Sequence, residues 1–90
     1  MNSFLKKPID YNDMRNVRRV RWYRSADRDL PLEVWEMVAD LPIFASNFHD
    51  NTPNETRKTH YYTCRYVFAD GCLSGFSAIK AAPPFTKKRK

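Results

Sequence analysis

Ninety residues, 42% hydrophobic and 14% aromatic, make one globular domain with a modest core and a formal charge of +6. That size disfavours an enzyme with its own deep cleft, and no apolar run nears the roughly 18 residues needed to span a bilayer. The charge is uneven: residues 1–24 carry +5, residues 25–55 carry −6 and residues 56–90 carry +7. Basic ends around an acidic centre imply a dipolar surface rather than a uniformly cationic one. Residues 1–8 lack the apolar stretch of a secretory signal, so a cytoplasmic, intracellular protein with no membrane contact is expected. Two cysteines in that reducing setting read as free thiols.

Along the chain, residues 1–14 mix polar residues with Pro8 and read as an N-terminal arm. Residues 15–81 read as a single domain, and residues 82–90 as a basic C-terminal tail, extended at Pro83-Pro84. Residues 17–25 alternate as a strand, with Val20 and Trp22 on one face and Arg19, Arg21 and Tyr23 on the other. Residues 31–41 predict a helix. Pro31 suits its first turn, and Leu32, Trp35, Val38 and Ala39 recur at spacings of three and four opposite Glu33, Glu36 and Asp40. Pro42 ends it. A further helical turn is expected within residues 43–48, then a polar loop over residues 49–56.

The most strongly specified piece is a hairpin. Residues 59–68 are rich in β-branched and aromatic residues, Asp70-Gly71 signals a two-residue type I′ turn, and residues 72–81 return. That turn sets a register in which Tyr62 faces Ile79, Tyr66 faces Gly75 and Val67 faces Ser74. Tyr62, Cys64, Tyr66 and Phe68 then cover the helix, while Tyr61, Arg65, Phe76 and Lys80 face outward. The expected fold class is α+β: a three-stranded antiparallel sheet in β-α-β-β order, with one helix packed on one face.

Catalytic and metal chemistry finds little support. His49, His60, Cys64 and Cys72 are four zinc-type ligands without a Cys-x2-Cys knuckle. His60 and Cys64 lie four strand positions apart, roughly 13 Å, too far to share a metal or a proton. The expected register also turns Cys64 and Cys72 to opposite faces. Asp27, Asp29, Glu33, Glu36 and Asp40 could suggest a Mg²⁺-binding cluster, but three of them fit the solvated edge of the predicted helix. The only glycines, Gly71 and Gly75, belong to the hairpin, so no phosphate-binding loop exists. Neither an enzyme nor a cofactor is expected.

Nucleic acid is the strongest positive expectation. Arg15, Arg18, Arg19, Arg21 and Arg24 gather beside Trp22 and Tyr23. Guanidiniums suit bidentate phosphate contacts, and rings suit stacking on unpaired bases. Tyr61, Arg65, Phe76 and Lys80 would extend that surface across the sheet, and Lys87, Lys88, Arg89 and Lys90 would add phosphate attraction. The glycine-containing sheet motif of RNA-recognition domains is absent from residues 61–68. The rival expectation is a protein partner. A dipolar surface suits a small modulator or inhibitor of a larger machine such as a polymerase or nuclease, a size class frequent among viral and phage proteins. Either way a monomer or weak homodimer is expected.

Overall fold

The alternation of residues 17–25 is realised in β1 (Val17–Ser25), which runs through the middle of the sheet. The computed structural model describes residues 10–45 and 48–84, so Lys87, Lys88, Arg89 and Lys90 lie outside it. The chain is a small α+β unit with one short helix and a four-stranded antiparallel sheet. The sheet order is β2-β1-β3-β4, adding β2 (Glu36–Pro42), β3 (His60–Phe68) and β4 (Lys80–Ala82). Among the described residues, no helix is long and apolar enough to cross a membrane.

The fourth strand stands where a helix was expected. Leu32–Val34 makes only a 3-10 turn, and β2 then pairs with β1 from Arg19 opposite Pro42 to Arg24 opposite Glu36. Trp22 faces Ala39 while Tyr23 faces Met37, so Val38 is an extra, bulged residue. A 3-10 turn followed by a bulged strand reproduces spacings of three and four, which is why the pattern imitated a helix. Pairing overrides propensity because it sets Asp40 opposite Arg21, a contact an isolated helix lacks.

The described part of the expected turn at residues 43–48 is a 3-10 turn, Ile43–Ala45. The helix proper, α1 (Thr52–Thr56), sits in the stretch read as a polar loop. Asp50 starts it by accepting from the Thr52 amide (3.0 Å) and hydroxyl (2.7 Å), and Pro53 occupies its first turn. Arg57, at φ 59°, ends it in the left-handed region.

The hairpin forms, with a different turn and register. A type I′ turn needs positive φ at both central residues, yet only Gly71 (φ 89°) is positive there. Gly71 donates to Phe68 O (2.8 Å) and Phe68 donates to Cys72 O (2.8 Å), closing a three-residue loop with glycine at the bulge. Val67 therefore faces Leu73 rather than Ser74, and Tyr62 faces Lys80 rather than Ile79. Between these points the return segment is irregular. Ser74 Oγ accepts from the Tyr66 amide (2.8 Å) and Ser77 Oγ from the Cys64 amide (2.9 Å), places where a ladder would offer carbonyls. An added Cβ at Gly71 meets nothing within 4 Å, so Gly71→Ala carries only the backbone penalty of its positive φ. It should lower stability by about 1 kcal/mol, read as a lower urea midpoint; an unchanged midpoint would refute the strained-glycine account.

A second bulge organises the core. Val17 faces Phe68 and Val20 faces Tyr66, so Arg18 is the extra residue, and two valines three apart bury on one face. Trp22 and Tyr62 continue that face under Phe48, whose ring stacks on Trp22 at 5.5 Å and meets Tyr62 at 6.2 Å. The segment from Phe48 into α1 thus roofs one side of the sheet and leaves Arg19, Arg21 and Tyr23 on the other.

Candidate nucleic-acid interface

The arginine-bearing face is open only at its guanidiniums: the Arg19 and Arg21 side chains are 43% and 33% exposed, while Thr63 and Val67 beneath them are buried. It is built from cross-strand partners. Arg21 lies directly opposite Arg65, Tyr23 opposite Thr63, and Arg19 opposite Val67. Directly opposed residues share a face, with Cβ atoms about 5 Å apart. From the return segment, Phe76 closes over this surface. Its ring meets Tyr23 edge-on at 5.4 Å, and the Arg65 guanidinium carbon lies 4.3 Å from its centre. Arg65 Nε also donates to Ser74 O (2.8 Å), so the guanidinium is held from two directions. Tyr61 faces Ser25 at the far end of the same face.

Arg19 and Arg21 converge on one carboxylate. Arg19 Nε donates to Asp40 Oδ1 at 2.6 Å and Arg21 Nε to Oδ2 at 3.3 Å, while Arg19 Nη2 holds the Asp40 carbonyl at 2.9 Å. The Arg19 hydrogen bond leads in holding the Asp40 carboxyl below its usual range, against the opposite pull of burial. Both arginine side chains stay substantially exposed, 43% and 33%, so each pair contributes at most about 1 kcal/mol. A competing anion can therefore rearrange them. Two guanidiniums sharing one acid leave the clamp net positive. Arg65 adds a charge that no acid within salt-bridge distance offsets among the described residues.

Other expected contact residues lie elsewhere. Arg24 is on the roofed face, donating to Asp50 (2.7 Å), Thr52 (2.8 Å) and Glu36 (3.0 Å). Lys80 pairs with Tyr62 and lines a cavity of about 290 Å³ on that same face. The register slip explains this correction, because one residue of slip reverses a strand residue's face. Arg15 precedes β1 in a 3-10 turn and is tied to Asp13 at 2.8 Å, which lowers the Asp13 carboxyl to about 2. Arg18, the bulged residue, is exposed and donates to Arg15 O. The surface therefore reduces to Arg19, Arg21, Tyr23, Arg65 and Phe76, with Tyr61 at its margin.

Asp40 and Asp50 were both missed as organising residues. For Asp40 the available signal was an acid within an apolar stretch, matching the alternate arginines of β1. For Asp50 it was the Asp-x-Thr-Pro start of a helix. Asp50 Oδ2 accepts from Arg24 and from the Tyr62 hydroxyl (2.7 Å). Burial pushes its carboxyl up, but the hydrogen bonds from Thr52, Tyr62 and Arg24 outweigh this and hold it far below the usual carboxylate range. Burial and the bond to Asp50 also push the Tyr62 hydroxyl well above the ordinary tyrosine value.

Cys64 is half-buried and Cys72 exposed, both as free thiols. Among the described residues, no group of three or more His, Cys, Asp or Glu gathers to hold a metal ion. Comparison with protein-family models, curated proteins and solved structures finds no match to this chain.

Proposed function

We propose that the protein binds nucleic acid, without catalysis, through the open face of its sheet. The observation that carries this reading is the Arg65 guanidinium, held over Phe76 at 4.3 Å and opposite Arg21, with no acid within salt-bridge distance among the described residues. Exposed guanidiniums beside aromatic rings on a sheet are a recurring means of gripping phosphates and bases. The basic residues 87–90 would add non-specific attraction.

Arg21→Gln combined with Arg65→Gln should weaken binding by at least about ten-fold at 50 mM salt. The slope of log affinity against log salt should fall by roughly two units. Fluorescence anisotropy with labelled oligonucleotides measures both quantities. A folded double variant with wild-type affinity and slope would remove this face from consideration.

A second reading rests on the opposite charge and on exposed apolar side chains, of which Met37 lies opposite Tyr23 at the β2 border of the same face. Leu30, Val34, Met37 and Phe44 are exposed in or near the acidic middle of the chain, Phe44 at 89%. Such a surface suits a protein partner, with the small domain acting as a modulator or inhibitor. Capture of a specific protein that survives nuclease treatment, together with no oligonucleotide binding at low salt, would favour it.

A further inference from the structure

The open face holds two unlike devices side by side. The first is the Arg19–Asp40–Arg21 clamp, a carboxylate gripped by two guanidiniums through Nε contacts of 2.6 and 3.3 Å. The terminal Nη groups of Arg21 make no hydrogen bond among the described residues. The second is the step formed by Arg65 on Phe76, where again only Nε of the arginine is engaged. Arg21 and Arg65 are cross-strand partners, so the clamp and the step spring from neighbouring backbone positions about 5 Å apart. The first device suits a tetrahedral anion. The second suits a flat ring, since a guanidinium held over a phenyl group leaves its outer plane for stacking. Devices springing from neighbouring positions can engage the phosphate and the base of one nucleotide.

Resting on the nucleic-acid reading above, we infer that this face takes an unpaired strand one nucleotide at a time. The phosphate sits on the Nη groups of Arg21 and the remaining Nη1 of Arg19, whose Nη2 is held by the Asp40 carbonyl, and its base stacks on the Arg65–Phe76 step. Asp40 is a positioning residue that holds both guanidiniums in place and balances one of their charges. Duplex DNA fits this surface poorly. Its base planes are stacked on one another, so none is free to lie on the Arg65–Phe76 step.

The experiment compares a labelled oligothymidylate, an oligouridylate and a mixed-sequence duplex on the full chain, over about 50 to 200 mM salt. Single strands of either sugar should bind about ten-fold tighter than the duplex. A 2-aminopurine placed within the strand should lose fluorescence on binding, as a base does on stacking. Arg65→Lys keeps the charge and removes the plane. It should cost single strands about five- to ten-fold in affinity, leave the salt slope unchanged and leave duplex binding untouched. Equal affinity for duplex and single strand, or an unquenched 2-aminopurine, would overturn the stacked-nucleotide assignment while the broader reading survives. No binding by any probe at low salt would overturn both. The strand preference and the quenching are read on the unaltered chain, so neither depends on a variant folding.

Discussion

Asp50→Ala is expected to destabilise the domain by about 3 kcal/mol, a large part of the roughly 5 to 13 kcal/mol available to a chain of this size. The Asp50 and Arg24 side chains are only 14% and 19% exposed. Removing the carboxylate leaves a largely buried guanidinium with only the exposed Glu36 as its acid, frees the Tyr62 hydroxyl and deprives Thr52 of the acceptor that starts α1. Asp50→Asn keeps an acceptor and should fall between wild type and Asp50→Ala. Urea denaturation measures the series, and a loss under 1 kcal/mol for the alanine variant would show the network to be ornamental. The pH dependence follows from the same group. Because the folded carboxyl is held far below its usual value, its contribution is complete above the unfolded value near 4. It is lost as pH falls towards the folded value. Wild type should therefore weaken below about pH 4 more steeply than Asp50→Asn does.

Trp35→Ala should cost about 3 to 5 kcal/mol. Trp35 is 5% exposed and closes the connection between β1 and β2, where its indole N–H donates to Leu30 O at 3.0 Å. Truncation leaves a ring-sized void and releases the loop that brings β2 alongside β1. Trp35→Phe retains most of the apolar body and gives up only the hydrogen bond. Since Leu30 is exposed and its carbonyl can turn to water, about 1 to 2 kcal/mol is expected there. Equal losses for the two variants would mean that the hydrogen bond, not the packing, fixes the loop.

Short-range pattern made β1 and the hairpin readable. Alternation sorts Val20 from Arg19 and Arg21 with no knowledge of the partner strands, and Asp70-Gly71 marks the turn whichever loop it closes. Residues 36–42 misled because the bulge at Val38 erases alternation and the preceding 3-10 turn supplies helical spacing. A bulge is settled by the strand opposite, which local sequence does not disclose. The candidate surface was legible to the same extent. Arg19, Arg21, Tyr23 and Arg65 came together because their placement on β1 and β3 needed only parity. Phe76 instead joins them through the irregular path of the return segment, where parity alone is a weak guide. Lys80 went to the wrong face because its placement needed the loop length and the slip along the return segment. Asp40 was placed on a helix edge and Asp50 in a loop because their arginine and tyrosine partners are distant in sequence, although the Asp-x-Thr-Pro start was a local sign of Asp50's role at α1.

The hydroxyls of Ser74 and Ser77 stand in for main-chain carbonyls along the outer border of β3. Backbone donors from Ser74 and Ser77 still reach Tyr66 O (2.9 Å) and Cys64 O (2.8 Å). A hydroxyl on a rotatable bond nonetheless holds an amide less firmly than a ladder carbonyl does, so this border should open more readily than the β1–β3 ladder. The amides of Tyr66 and Cys64 should exchange with deuterium ahead of those facing β1. Phe76 is carried on that same border. The border held by serine hydroxyls is thus the part that delivers the aromatic ring to the arginines, and a bound strand should slow the exchange of its amides.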